Sequence, residues 1–337
     1  MGAWLMVALA VVGVPGRPAP DLEIVTDEAD AALQILELRR SGRPIGEDVW
    51  RRLYATEGYR RLKAREAAMR RAFEDSSFRA FLLSDTLLGR APALRRTLDA
   101  WKRVPPAGAA AKARAYLPGS TPLRARVYLL IKPRTNSFVF EVDTDPAIML
   151  YLDPARTPAQ LENTIAHELH HIGYAAACRD PEDSTADSAL ATARGWLGAF
   201  GEGVAMLAAA GGPDAHPHAV SPPEDRTRWD RDVANAGADV RRLEAFFLDL
   251  LDRRLTDPDS TREAAMAFFG VQGPWYTVGW IMATTIERTA GRAALVETLC
   301  DPPALLRRYN DAARRSRAPA LPLWSEDLLA RLSAGRS

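Results

Sequence analysis

The residues of this chain with the clearest capacity for chemistry lie in one short stretch, His167-Glu168-Leu169-His170-His171. Residues four apart share one face of an α-helix, so the imidazoles of His167 and His171 can bind a single Zn²⁺ ion. Glu168, beside the first histidine, is placed to act as general base toward a water on that ion. The spacing therefore predicts one catalytic zinc site. The alternative is an amphipathic helix whose polar face holds the two histidines without a metal.

A third metal ligand is predicted further along the chain, at Glu202. This glutamate is the one acid in the apolar half of a long helix predicted from about Ser184 to Ala210. An ionised carboxylate in apolar surroundings needs a cation close by. The flanking Gly201 and Gly203 are expected to let this helix approach another backbone closely. The competing ligands are four acids nearer in sequence and two histidines in a Gly/Pro-rich loop: Asp180, Glu182, Asp183, Asp187, His216 and His218.

The element that positions the histidines is a helix preceded by short strands. Thr157 is the predicted N-cap of this helix and Pro158 its first residue. Three apolar, β-branched segments come before it, at Val127 to Ile131, Phe138 to Val142 and Ile148 to Leu152. Their short connections favour an antiparallel or mixed sheet. The last strand is either structural or offers a free edge to an extended peptide substrate.

The remaining pattern is helical, from Asp21 to about Val104 and again beyond Pro222. The predicted fold class is therefore mainly α (α+β), with a small antiparallel or mixed sheet beside the zinc-binding helix. Four regions are expected. They are a signal peptide over 1–20, a helical N-terminal subdomain over 21–115, a catalytic core over 116–215 and a helical C-terminal subdomain over 216–337.

The net charge, the amino-terminal segment and the cysteines indicate which partners and which cellular location to expect. The 44 basic and 43 acidic side chains leave a net charge of +1, which argues against a nucleic-acid partner. The apolar run from Met1 to Pro15 suits a signal peptide and is too short for a stable membrane span. We therefore expect export, periplasmic or secreted, although no basic residue precedes the run and a buried first helix is the alternative. Cys178 and Cys300 either pair or remain two buried thiols.

Three motifs carry a resemblance to a known family. They are His-Glu-Leu-His-His-Ile-Gly from His167, Gly-Glu-Gly-x-Ala around Glu202, and Tyr-x-x-Gly-x-x-Met-Ala from Tyr276. Together they resemble a bacterial family of zinc-dependent peptidases whose function is itself inferred. The order of His-Glu-x-x-His and a later glutamate is also similar to the gluzincin class of zinc peptidases. The resemblance runs from the predicted strands to about Tyr309 and leaves the N-terminal helices uncovered.

The resemblance implies a zincin-like fold, one catalytic zinc ion and a peptide or protein substrate. It also implies that Tyr276 stabilises the oxyanion of the reaction, the alternative being a core tyrosine. His170, on the adjacent helix face, is expected to support the ligands or to be solvated rather than to bind metal. Two other functions stay open: a non-catalytic zinc-containing binding or scaffold protein, and a hydrolase of a non-peptide amide or ester.

Overall fold

The computed structural model describes residues 21–178, 187–316 and 322–334. Within these ranges the chain forms fifteen α-helices and four strands, so the predicted mainly α (α+β) class is confirmed. The strands are β1 (Asp21–Val25), β2 (Arg124–Leu130), β3 (Phe138–Phe140) and β4 (Ala147–Tyr151). The helices up to the histidine motif are α1 (Asp27–Arg40), α2 (Glu47–Ala55), α3 (Glu57–Ala68), α4 (Asp75–Leu82), α5 (Asp85–Trp101), α6 (Pro106–Arg114) and α7 (Pro158–Ala177). The later helices are α8 (Ser188–Leu197), α9 (Gly201–Ala210), α10 (Pro223–Leu251), α11 (Pro258–Ala267), α12 (Pro274–Ala290), α13 (Arg292–Val296), α14 (Pro302–Arg315) and α15 (Glu326–Ser333).

The sheet is mixed, with the strand order β1-β2-β4-β3. Strands β1 and β4 both run parallel to β2, whereas β3 pairs antiparallel with β4. The three predicted strands are present, but the prediction that the pattern is helical from Asp21 was wrong over Asp21–Val25, which form β1. In β1 the apolar Leu22 and Ile24 alternate with Glu23, and the partner strand β2 lies far away in sequence. A short strand of this kind is decided by its distant partner, which a local pattern does not reveal.

The strand before the motif helix is a central one. β4 lies between β2 and β3, which pairs with its residues Ala147 to Met149, so the structural alternative is favoured over the free edge. All five residues of β4 are buried, as expected of a central strand whose two faces are both covered. The edge position belongs instead to the short, half-buried β3.

Two hydrophobic clusters meet at the motif helix. The first combines the sheet with helices α1 to α7, and includes Ile165 and Leu169 of α7. The second is formed mainly by the helices from α8 onward, around Phe200, Trp275 and Trp324. Helix α7 packs against α6 on one side and α9 on another, and α9 packs in turn against α12. The motif helix therefore lies where the two clusters adjoin.

The long helix predicted from Ser184 to Ala210 is divided. Helix α8 ends at Leu197, a 3₁₀ turn spans Gly198–Phe200, and α9 begins at Gly201. The backbone stays in the right-handed helical region through this turn, so only the hydrogen-bond pattern changes. Two glycines weaken the helix at the junction. Positions 184–186 of the prediction lie outside the described residues.

A disulfide joins Cys178, directly after α7, to Cys300, shortly before α14. Of the two alternatives left open by the sequence, the structure therefore has the paired one. The two half-cystines are 122 residues apart along the chain. The bond ties the end of the motif helix to the C-terminal helices.

The predicted signal peptide, residues 1–20, lies outside the described residues. Among the described helices, none has both the length and the apolar character needed to cross a membrane.

Candidate metal centre

The start of α7 is fixed by a capping box. The Thr157 hydroxyl accepts a hydrogen bond from the Gln160 backbone N–H, and the Gln160 side chain accepts one from the Thr157 N–H. Pro158 follows as the first helical residue, so the predicted N-cap and first residue are confirmed. The opposite, apolar face of the helix is buried through Ile165 and Leu169. This anchoring fixes the direction in which the motif histidines point.

The second half of the centre depends on a very close approach of α9 and α12. A Cβ atom placed on Gly203 would overlap the backbone of Gly279 and Trp280. The predicted close approach is therefore correct at Gly203, but it was wrong at Gly201, where the surrounding space is open. Because Glu202 precedes Gly203 and Tyr276 lies one turn before Gly279, this crossing brings both side chains to the same side of α7.

Three predicted ligands converge on one point. The Nε2 atoms of His167 and His171 are 3.0 Å apart. Oε2 of Glu202 lies 3.2 Å from the first and 3.1 Å from the second. Their ligand atoms all lie within 4.8 Å of one another. In the part of the chain that the structure describes, they are the one such group of three or more His, Cys, Asp or Glu side chains. The structure therefore brings together all three predicted metal residues.

The Glu202 carboxylate and His171 each stabilise the charged form of the other. Burial by itself would raise the pKa of the Glu202 carboxyl, but the adjacent His171 and His167 hold that pKa well below its ordinary value. Burial likewise disfavours a charged His171, yet the Glu202 carboxylate outweighs it and the pKa of His171 is raised. The carboxylate is thus ionised and faces two imidazole nitrogens, an arrangement in which a cation is strongly favoured.

The donor set fits zinc. Ligands of a tetrahedral zinc ion lie about 2.1 Å from the metal, which places them about 3.4 Å from one another. The observed separations of 3.0 to 3.2 Å are close to this value. Two imidazoles and one carboxylate are also the ligand types of catalytic zinc sites, which keep a fourth position open. The lone pairs of the three atoms would repel one another without a cation or proton among them.

Glu168 does not join the ligand group but faces the same space. With His167 and Tyr276 it lines a cleft of about 670 Å³. Burial raises the pKa of the Glu168 carboxyl, and the Glu202 charge raises it further against the opposing effect of the two histidines. A carboxyl that holds its proton more tightly than usual is suited to accept a proton from water and pass it on.

Tyr276 lies directly beside the ligands. Its ring is nearly parallel to that of His167, at an interplanar angle of 13° and a centroid distance of 6.3 Å. Burial raises the pKa of its hydroxyl, and so do the charge of Glu202 and a hydrogen bond with that carboxylate. The phenol therefore stays protonated and remains a hydrogen-bond donor. Nδ1 of His167 is buried and has no partner among the described residues, so packing against Tyr276 and His171 orients this ring.

His170 is separate from the ligand group, as predicted, but it is not solvated. Its side chain is fully buried, and Nε2 lies 3.2 Å from the backbone carbonyl oxygen of Tyr116, to which it donates. Burial lowers the pKa of His170 to about 3, so the ring is neutral. Its contact attaches α7 to the segment that follows α6.

The competing ligands lie elsewhere. Asp187 caps α8 and pairs with Arg253 at the surface. His216 pairs with Asp230 at 2.9 Å. His218 lines the cleft, but its Nδ1 lies beside the Ser221 hydroxyl rather than in the three-atom group. Asp180, Glu182 and Asp183 lie outside the described residues.

The cleft also contains residues that sequence reasoning missed. Arg156 and Asn163 line one side of it, and Val271 and Gln272 line the other. The first two lie close to the motif helix and offered no distinctive spacing. Val271, an apolar residue between glycines at 270 and 273, carried a weak signal of an exposed turn.

The fold and the centre together define a candidate metal-dependent hydrolase, with two histidines, a downstream glutamate and a second glutamate at one cleft. Residues 50–318 match the family described as "Putative zinc dependent peptidase (DUF5700)". Because the match covers most of the 337 residues, the chain belongs to this family. The match begins within α2, so the expectation that the N-terminal helices are uncovered was wrong. Neither a curated protein nor a solved structure matches the chain.

Proposed function

We propose that this protein hydrolyses peptide bonds with one catalytic zinc ion, held by His167, His171 and Glu202. The observation that carries the proposal is the convergence of these ligand atoms, within 4.8 Å of one another, beside a cleft that also presents Glu168. A cleft of about 670 Å³ is large enough for several residues of an extended peptide. Membership of a family described as zinc dependent peptidases supports the same reaction.

When bound, zinc supplies Lewis acidity, which acidifies a coordinated water and polarises a carbonyl oxygen. Glu168 takes the proton of the attacking water and returns it to the leaving amine, and the raised pKa of its carboxyl suits both transfers. Tyr276, protonated throughout the ordinary pH range, turns its hydrogen bond from the Glu202 carboxylate to the substrate oxygen on which negative charge develops. The buried apolar surroundings of α7 and α9 strengthen these interactions by excluding water.

The proposal is tested by comparing the parent protein with Glu168→Gln. The variant keeps the shape of the side chain but cannot accept a proton, so cleavage of a peptide library should fall by about a hundredfold to ten-thousandfold. Zinc content, measured by mass spectrometry of the metal, should be unchanged, and a chelator should abolish cleavage by the parent.

Glu162→Gln on the same helix is the matched control, because Glu162 pairs with Lys112 and does not line the cleft. Full peptidase activity in Glu168→Gln would contradict the assigned base. A parent protein that binds zinc and cleaves no peptide would contradict the peptidase function. Ester or non-peptide amide substrates added to the same assay would then identify the alternative hydrolase.

The disulfide between Cys178 and Cys300 supports one more part of the proposal, export to an oxidising compartment. Fractionation of the producing cells tests it, since recovery of the protein with reduced cysteines in the cytoplasm would contradict export.

A further inference from the structure

The cleft at the metal centre has two walls of different chemistry. The first, here called the polar wall, comes from the turn before β3, the segment after β4 and the first half of α7. Its side chains include Asn136, Asp153, Arg156, Gln160 and Asn163. The second, here called the apolar wall, comes from α9 and from the loops before α10 and α12. Its apolar residues are Met206, Ala209, Pro217, Val220, Pro222 and Val271.

The separation of the two walls is one-sided, because the apolar wall also carries polar side chains: His218, Ser221, Asp225, Arg228 and Gln272. Among the described residues that line the cleft, Ala155 is the one aliphatic residue outside the apolar wall. His167 and Glu168 belong to the same cleft, so both walls flank the reacting groups. A substrate bound at the metal centre therefore meets almost purely hydrogen-bonding groups on one side and, on the other, apolar side chains interspersed with polar ones.

Val271 is the most exposed element of the apolar wall. Its exposed fraction of 68% is the highest of any large apolar residue in the described part of the chain, and Val220 on the same wall is 38% exposed. Water in contact with such side chains is released when an apolar group covers them, which favours binding. The two exposed valines are thus apolar surface that the described part of the chain leaves uncovered.

The loop that carries Val271 holds it in this exposed position. The residues on either side, Gly270 and Gln272, both have left-handed backbone conformations, with φ of +47° and +60°. This conformation is unfavourable for a glutamine and persists where the surrounding structure enforces it. The loop ends on the buried Trp275, whose indole N–H donates to the Ala265 carbonyl at 2.9 Å. Val271 is therefore presented from a firmly anchored turn.

We propose that Val271, Val220 and Met206 form a subsite for an aliphatic or aromatic side chain next to the bond that is cut. This inference rests on the proposed peptidase function and specifies its substrate. Successive side chains of an extended peptide point in opposite directions. One residue beside the scissile bond therefore faces the apolar wall, and its neighbour faces the polar wall. The preferred substrates carry an apolar residue followed or preceded by a polar one.

The proposal is tested first by cleavage. The zinc-loaded parent is incubated with a peptide library of random sequence, and the cut sites are read by mass spectrometry. An aliphatic or aromatic residue should be enriched at one position beside the cut. Val271→Asp should lower kcat/KM for the best apolar peptide by about tenfold or more and shift the preference toward Lys or Arg.

Met266→Asp is the matched control, because Met266 is an exposed apolar residue, 51% accessible, that does not line the cleft. It should leave kcat/KM unchanged. Cut sites without apolar enrichment, or an equal effect of the two aspartates, would overturn the subsite while leaving the peptidase function intact.

A binding measurement separates this inference from the reaction itself. Zinc-loaded Glu168→Gln protein is titrated with Ala-Gly hexapeptides that carry one Leu, or one Ser, at each position in turn. Leu should strengthen binding over Ser at one position by about tenfold, and Val271→Asp in the same background should remove the difference. Equal affinities for all Leu and Ser peptides would overturn the subsite even in a protein that cleaves no peptide.

Discussion

Two glutamates, Glu28 beside the first hydrophobic cluster and the partly buried Glu202 beside the second, have different charge states. Both are the second residue of a helix, Glu28 in α1 and Glu202 in α9. Glu28 is fully buried, accepts one hydrogen bond from the backbone N–H of Ile131 at 2.9 Å, and has a second oxygen without a partner among the described residues. Burial raises the pKa of Glu28 to about 8. The pKa of Glu202 is instead held below its ordinary value.

The difference lies in what each carboxyl faces. Glu28 lies at the N-terminus of a helix, whereas α9 continues from α8 without leaving the helical region, so the helix dipole favours a charge at Glu28 and does not explain the difference. Glu202 faces two imidazole nitrogens at 3.1 and 3.2 Å, whereas Glu28 faces a backbone amide and the like charge of Asp27, and the charge of Lys132 opposes burial only weakly. A buried acid without a cation takes up a proton and becomes a structural hydrogen-bonding group. A partly buried acid that remains charged beside two imidazole nitrogens is placed to bind a metal.

The largest effect is expected for Glu202→Gln. This change removes the charge with little change of shape, so zinc affinity should fall by more than about a hundredfold. That is more than the loss typical of changing a residue that only hydrogen-bonds to a metal ligand. The rise in Tm that zinc causes in the parent should disappear accordingly. Competition with a chromophoric chelator measures the affinity. Glu28→Gln is the control and should bind zinc like the parent. Equal zinc affinity in both variants would remove the proposed difference between the two glutamates.

A smaller effect is expected where α9 crosses α12. Gly203→Ala places a methyl group against the backbone of Gly279 and Trp280, so the free energy of unfolding should fall by about 2 kcal/mol. The helices must separate, which also displaces Glu202 and weakens zinc binding. Gly201→Ala, two residues earlier and in open space, should be neutral or stabilising by up to about 1 kcal/mol. Denaturant unfolding of both variants provides the measurement, and similar stabilities would contradict the close crossing.

An effect comparable in size to that at Gly203 concerns the pH dependence of stability at Glu28. Its pKa is about 8 in the folded protein and near the ordinary 4.5 in the unfolded chain. Between these values the folded state binds a proton that the unfolded state has released, so stability falls as pH rises. The slope from this group is about 1 kcal/mol per pH unit. Unfolding at pH 5.5, 6.5 and 7.5 should show the slope in the parent and a flatter profile in Glu28→Gln. Parallel profiles would show that Glu28 is ionised.

Local features of the centre could be predicted from the sequence. The capping residues Thr157 and Pro158 act within a few positions, and the spacing of His167 and His171 is fixed by helix geometry. Glu202 was identifiable because an acid in an apolar helix requires compensation. These inferences depend on short-range rules, which apply wherever the segment lies in the fold.

Features that depend on distant partners could not be predicted in this way. Strand β1 forms because β2 lies beside it, and β4 is central because β3 returns to its outer side. The pairing of Cys178 with Cys300 and the placement of Val271 at the cleft depend equally on the assembled helices. The 3₁₀ turn at Gly198–Phe200 is a small change of hydrogen bonding that helical periodicity does not register.

The bond between Cys178 and Cys300 gives the chain the topology of a ring with two tails. The ring contains Glu202 and Tyr276, while His167 and His171 lie on the tail just before it closes. Denaturation of the oxidised chain can therefore separate the carboxylate from the imidazoles only as far as the ring allows. The covalent link keeps the segments that must meet again near one another, and it restricts the unfolded ensemble more than the native one.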